Sequence, residues 1–338
     1  MADDIDMKIL HALLCAPRAP FRRIGEVIGV SEQTAARRYH ALRRSGVVRV
    51  VGMVDPAVYG QARWIARIRC RPDRVGPLAD ALARRPDIAY ANLASGGSEI
   101  ICVIRSPVDA QHDDMLLRQL PKSASVLDVS IDLLIHPFGD PSTVGWTGDS
   151  GRLTPEQVQQ LTGGLPAAPT GPLLPPAHED VPLLDALAQD GRTTHRQLAT
   201  LTGWSTARVA RRLEVLENAG TLTYDVDSLP ERLGYRLNAT LWLHVAPAHL
   251  QRVGEELARH DEVAFACATS GPHNIMAIVI CRDAEDFYRY LTTRVAAITG
   301  IDAYNVSIRV RRLKQAASLI SRGRLIQPAP AHTPTARN

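Results

Sequence analysis

The chain has 338 residues, 45% of them hydrophobic, and a formal net charge of +4, a length that favours two or more domains and a charge too mild to demand a polyanion partner. Five scattered cysteines with no Cys-x-x-Cys pair, and histidines without metal spacing, argue against a disulfide framework and a metal site. No apolar run is long enough to span a bilayer, and the acidic, amphipathic N-terminus is not a signal peptide, so a reduced cytoplasmic protein is expected.

Ile5, Ile9, Leu10 and Leu13 recur at helical spacing and predict a first helix that ends near Cys15. Arg22 to Ile28 predicts a second. Gly29 turns the chain, and Ser31 opens a third helix as its N-cap, with Gly46 able to close it in the left-handed conformation. Ala35, Tyr39 and Leu42 share one face of that helix. Gln33, Arg37, His40 and Arg44 point the opposite way, flanked by Thr34 and Arg38. Two helices, a tight turn and a basic third helix read as a helix-turn-helix, residues 1–52, whose last helix fits a DNA major groove.

Val47 to Val54 predicts a strand leading out of this head. Residues 58–138 then follow a βαββαβ order. The first strand alternates Trp64, Ala66, Ile68 and Cys70 against Arg63, Arg67, Arg69 and Arg71. A helix carries Val75, Leu78, Ala79 and Leu82. Strands at Ile88–Leu93 and Ile100–Ile104 flank the turn Ser95-Gly96-Gly97-Ser98, and a helix at Asp109–Leu120 leads to a strand at Val126–Ile135. Residues 139–178 are rich in Pro, Gly and Thr and read as a linker, interrupted by a short helix around Thr154 to Leu161.

The pattern then repeats. Ser205 to Leu222 copies Ser31 to Val48 without a gap, 174 residues further on, and recurs in a second head, residues 179–226. A second βαββαβ module follows at 232–314, with Ser270-Gly271-Pro272-His273 in the turn. The tail, 315–338, is polar and Pro-rich and reads as disordered at its end. The expected fold class is α+β: two helix-turn-helix, winged-helix-like domains and two ferredoxin-like, ACT-like regulatory domains. The DNA-contact candidates are Ser31, Gln33, Thr34, Arg37, Arg38 and Arg44 in the first head, and Ser205, Arg208, Arg211 and Arg212 in the second. The heads differ in charge. Residues 1–52 hold nine Lys/Arg against five Asp/Glu, and residues 179–226 hold five Arg against seven Asp/Glu. The first head is therefore expected to do most of the phosphate binding.

On these residues the chain resembles the Lrp/AsnC family of transcription regulators. The resemblance rests on Asp6 with Ile9-Leu10, on Ser31 through Arg37-Arg38 to Leu42, on Ser45-Gly46-Val47-Val48, on Val54-Asp55-Pro56 with Gly60, and on the recurrence of the run at Ser205–Leu222 and of the Ser-Gly turn at Ser270-Gly271. Usual members look like one head and one regulatory module that pair through the modules, so this chain looks like two members fused, a pseudo-dimer that self-associates into homodimers or larger assemblies. The resemblance implies an operator in double-stranded DNA and a small-molecule effector, typically an amino acid, with no membrane partner. It places the effector near Ser95, Gly96, Gly97, Ser98 and Glu99 and near Ser270, Gly271, His273 and Asn274. An acidic residue usually closes that turn; Glu99 can pair with an α-amino group, whereas Asn274 can only hydrogen-bond it.

No Ser/His/Asp set, P-loop or dinucleotide fingerprint occurs, so neither catalysis nor a cofactor is expected. Two rivals stay open. Siroheme decarboxylases look like this family and carry paired copies, but need a basic cluster with histidine near a cleft; His112, His136, His244, His249 and His273 are dispersed along the chain. A ligand-sensing partner protein whose heads no longer bind DNA is the other.

Overall fold

The computed structural model describes residues 3–71, 73–108, 126–139, 146, 152–163, 173–316 and 318–326. The first half opens on α1 (Asp4–Cys15), α2 (Phe21–Ile28) and α3 (Glu32–Arg44). Asp3 and Asp6 form a reciprocal capping box at α1, and the Ser31 hydroxyl accepts from Thr34 N at α3. Gly46 leaves α3 at φ 70°, a left-handed turn that a Cβ would strain. Ile9, Leu10, Leu13, Ile24, Ala35 and Tyr39 are buried together as this head's core.

The head continues into β1 (Val48–Val54), and then β2 (Gln61–Cys70), α4 (Val75–Ala83), β3 (Ile88–Ala94), β4 (Glu99–Pro107) and β5 (Val126–Pro137) follow. The helix expected at Asp109–Leu120 lies outside the described residues. The expected linker helix is present as α5 (Pro155–Thr162), started by a Thr154 capping box. The linker is more than a tether, however. Trp146, Leu153 and Leu161 bury themselves in the first head's core, Gln157 Nε2 donates to Val27 O at 2.8 Å and Leu153 N donates to His11 Nδ1 at 2.7 Å. Its apolar residues supply the reason, since the small three-helix head gains buried area from them.

The second half repeats the order: α6 (Val181–Gln189), α7 (His195–Thr202), α8 (Thr206–Asn218), β6 (Leu222–Ser228), β7 (Leu237–Val245), α9 (Leu250–Ala258), β8 (Val263–Thr269), β9 (Ile275–Cys281), α10 (Ala284–Arg289) running on through a π turn at Tyr290–Val295, and β10 (Ile301–Gln315). One hairpin, β11 (Ser318–Ser321) and β12 (Arg324–Ile326), follows. It folds back on β10 and on the first head, while the end of the tail, where disorder is expected, lies outside the described residues. Leu325 N donates to Gly46 O at 2.8 Å and Arg324 Nη2 to Arg44 O at 2.6 Å. Those two carbonyls lie at the end of α3 and otherwise lack intrahelical partners.

The two halves meet in three layers of contact. β1 and β6 pair antiparallel along their whole length, Val48 opposite Ser228 and Val54 opposite Leu222, as a ribbon beneath the heads. Each regulatory module is a four-stranded antiparallel sheet, β3-β4-β2-β5 and β8-β9-β7-β10, the ferredoxin-like order. The fourth strand of each crosses to the other sheet. β5 pairs with β2 through Leu133, then with β8 from Leu134. β10 pairs with β7 through Ile308, then with β3 from Arg309. The eight strands therefore close on themselves around Ile65, Ile101, Trp242, Cys267 and Met276. Helix α4 covers one outer face, and α9 with α10 the other. The heads also grip each other. Arg18 donates to Gly191 O and Thr193 O, and Arg192, its counterpart 174 residues on, donates to Pro17 O and Ala19 O.

Candidate nucleic-acid interface and effector turns

Helices α3 and α8 each bury one stripe and expose the other. Ala35 and Tyr39, and likewise Val209, Leu213 and Leu216, face their cores, as the spacing predicts. Gln33, Arg37 and Arg44 are exposed on the outer side of α3, as are Arg208 and Arg211 on α8. Among the described residues the Arg37 and Arg211 side chains make no hydrogen bond or ion pair. They stand at equivalent positions of the two copies, free to reach a partner.

The other candidates have work inside the heads. Ser31 and Ser205 are the N-caps, accepting from Thr34 N and Arg208 N, both at 3.2 Å, and Ser31 Oγ also donates to Thr34 Oγ1 at 3.0 Å. Arg44 Nε turns back to His40 O at 3.3 Å. Arg208 pairs with Glu179 at 2.7 Å and stacks on Trp204 at 4.2 Å. Arg38 and Arg212 are engaged more firmly. Arg38 bridges to Asp3 at 2.6 Å and Asp6 at 3.4 Å, and Arg212 Nε bonds Asp180 Oδ1 at 2.7 Å with a second contact to Oδ2. Each guanidinium ties its last helix back to the start of its first, and the carboxylates hold both pKa values above the ordinary arginine value. They are head-building residues, and the consecutive Arg-Arg pair in the sequence concealed the difference, because adjacent helical residues point about 100° apart.

The first Ser-Gly turn lies at the seam between the modules. Glu99 is only 4% exposed and accepts from Arg67 Nε, Ser95 Oγ and Ser307 Oγ, each at 2.8 Å. Ser307 Oγ accepts in turn from Trp242 Nε1 at 3.0 Å, and the Arg67 guanidinium lies over the Trp242 ring at 4.4 Å. Ser95 adopts φ 53°, a left-handed conformation that turns its hydroxyl back to Glu99. Arg67, Trp242 and Ser307 were not foreseen. Arg67 sits on the face that sequence alternation assigned to solvent; closure of the second sheet over it makes that face interior.

The second turn is a brace. Ser270 N donates to Leu133 O at 3.1 Å, and Leu133 N donates to Ser270 Oγ at 2.8 Å. Asn274 Oδ1 accepts from Val245 N at 2.9 Å while its Nδ2 donates to Val245 O at 2.7 Å. A Cβ on Gly271 would come within 2.4 Å of the Asp132 carboxylate, so a larger residue here would displace that side chain. Burial, then the positive charge of Arg67, lower the pKa of His273. Glu99 and Asn274 therefore sit at equivalent turns with different surroundings: a carboxylate among side chains, and an amide committed to backbone.

Comparison with known proteins follows the same division. The AsnC-type helix-turn-helix profile matches residues 3–43, a winged helix-turn-helix DNA-binding profile matches 183–223, and the Lrp/AsnC ligand binding domain profile matches 238–319. The regulator LrpA of Pyrococcus abyssi is 31% identical over 133 residues, which is 39% of this chain and 94% of that protein. LrpA of Pyrococcus horikoshii is 30% identical over the same length and shares. Among solved structures, the siroheme decarboxylase NirDL shares the fold across 93% of both chains at a TM-score of 0.61, with 13% identity.

Proposed function

The chain belongs to the Lrp/AsnC family of helix-turn-helix transcription regulators, and from that premise we propose a single-chain pseudo-dimer that reads operator DNA through α3 and α8 and senses an amino acid at Glu99. One observation carries the DNA reading: at equivalent positions of both copies, an exposed arginine without a partner (Arg37, Arg211) precedes an arginine held inside the head. The Glu99 reading is supported by charge. The Arg67–Glu99 pair is complementary to a zwitterion: a ligand that opens the pair would set Arg67 against its carboxylate and Glu99 against its ammonium group. The bonded state of Asn274 supports one such site per chain.

Selection of bound fragments from genomic DNA tests the first part. Enriched fragments should then bind more weakly to Arg37→Ala than to Arg211→Ala, and the salt slope should fall by about one for each lost phosphate contact. A selected pool no different from random sequence would overturn the reading. For the effector, a thermal-shift screen of amino acids should give a ligand that stabilises the folded chain, with the shift lost in Glu99→Gln.

A second reading has one observation in its favour, the whole-chain fold likeness to a siroheme decarboxylase. It predicts a change in the absorbance of an added iron-tetrapyrrole together with no selected DNA.

A further inference from the structure

A cleft of about 670 Å³ opens between α4, the start of β7, β10 and the β11–β12 hairpin. We propose that it binds a small, multiply charged anion, a polycarboxylate or a polyphosphate. None of the residues around Glu99 lines it, so the proposal goes beyond the amino-acid reading and does not depend on it.

Six guanidinium groups face the cleft, those of Arg84, Arg236, Arg309, Arg311, Arg312 and Arg322. Among the described residues, two carboxylates join them. Asp80 pairs with Arg311 at 3.2 Å, and Glu231 stands 3.9 Å from Arg312. Arg309 and Arg312 both donate to Asn238 Oδ1, at 3.0 and 3.3 Å, and Arg312 also donates to Ser228 O at 2.8 Å and to Gln315 Oε1. The Arg312 side chain is 7% exposed, and its Nε is buried without a hydrogen-bond partner. Burying guanidiniums against each other is costly unless opposite charge compensates them. That cost agrees with the lowered pKa of both residues, caused first by burial and then, for Arg309, by Arg312. Among the described residues, Arg84, Arg236 and Arg322 have no side-chain partner. The positive charge is thus convergent, concave and only partly neutralised.

The hairpin places its own cation deliberately. Arg322 and Gly323 take φ 49° and 67°, the pair of left-handed residues that a two-residue type I′ turn requires. Arginine in that conformation is strained, and the turn sets it at the cleft's rim. The volume suits a small molecule, whereas the phosphates of a duplex could not reach the recessed Arg312, whose side chain is 7% exposed. The hairpin's other strand is fastened to the end of α3 through Gly46 O and Arg44 O. An anion that neutralises Arg322 therefore also steadies the exit of the first recognition helix.

The test is titration calorimetry on the full chain at low ionic strength. The probes are citrate, a carboxylate-only anion; pyrophosphate and inositol hexakisphosphate, phosphate-only anions; and acetate, a monovalent control. At least one multivalent anion should bind one-to-one and well above acetate, and the better class identifies the charged group. The double variant Arg84→Ala/Arg322→Ala, at two exposed positions, should weaken that binding by about tenfold or more. Arg37→Ala/Arg211→Ala should leave it unchanged. Failure of every multivalent anion to exceed acetate would overturn the proposal. So would loss of binding on substituting Arg37 and Arg211 in place of the cleft arginines, since the anions would then sit on the DNA-reading helices. Neither result depends on whether an operator or an amino acid is found.

Discussion

Arg38 and Arg212 occupy the same register, and their removal should have different costs. Asp180 is fully buried, and its Arg212 partner has a side chain 23% exposed. Among the described residues its other donor is Ala177 N, at 2.7 Å. Arg212→Ala leaves a carboxylate in the interior with a backbone donor and no counter-charge, a loss of about 3 kcal/mol, at the low end for breaking a buried pair because the arginine is partly solvated. Arg38 is 33% exposed, and its closer partner Asp3 is 48% exposed. Water screens that bridge, and Arg38→Ala should cost far less than Arg212→Ala. A chain of several domains need not unfold in one step, so the assay is amide hydrogen exchange, read separately over α1–α3 and α6–α8. The Arg212 variant should open its head far more than the Arg38 variant opens the first. Asp180→Asn added to Arg212→Ala should recover part of the loss, a coupling that a double-mutant cycle measures. Neither variant should change the salt slope of DNA binding, because each guanidinium is paired with carboxylates of its own head. Equal losses of protection, strict additivity in the cycle, or a fall of about one in the slope for Arg38→Ala would refute the assignment.

Asp227 is fully buried in the β1–β6 ribbon, and burial, followed by Asp225, raises its carboxyl well above 3.8. Because the folded value is the higher one, the penalty is absent below the ordinary value and grows as pH rises through the raised one; Asp227→Asn should therefore melt higher than the parent at pH 7, with the gain vanishing toward pH 3.8, and a lower melting point at neutral pH would mean that Arg49 and Arg312 outweigh burial. His11 and His260 are both pushed down to about 4, by burial first and by Arg152 and Arg294 respectively after it. The unfolded chain then binds more protons than the folded one between about 6.5 and 4, so stability should fall across that window as pH is lowered, and His260→Gln should flatten the fall. Arg192→Ala removes both of its bonds to Pro17 and Ala19 carbonyls; exchange should rise at the facing surfaces of the two heads while the barrel stays protected, and unchanged exchange there would show that the reciprocal arginines do not hold the heads together.

The heads were legible because a helix repeats its environment every turn: the apolar stripes of α3 and α8, their Ser caps and their closing glycines are all local signals. The order of strands within each module was legible for the same reason. The closure of the two sheets was not. Leu134 pairs with Thr269, and Arg309 with Ala94, contacts between distant segments that no local period encodes. That closure is why Arg67 was placed on a solvent face when it lies on Glu99 and Trp242. The hairpin escaped for another reason. Strands of four and three residues are too short to show a period, and the hairpin's order comes from β10 and from carbonyls at the end of α3.

The duplication separates what holds the protein together from what distinguishes its halves. Residues that fix shape are matched across the repeat: Arg18 with Arg192, Arg38 with Arg212, Ser31 with Ser205 and Gly46 with Gly220. Arg37 with Arg211 apart, the residues that would meet a ligand differ. Glu99 answers to Asn274, His40 to Glu214, and the arginine cleft depends on a hairpin that follows the second module. In a homodimer any such substitution would appear in both halves at once, so a change that suits one site would be imposed on the other. A fused chain removes that constraint. Asn274 illustrates the result: its amide both accepts from Val245 N and donates to Val245 O, and an ionised carboxylate there has no proton to donate to Val245 O. The acidic residue proposed to hold an ammonium group at the first turn would weaken the brace at the second, and an asymmetric chain can have both.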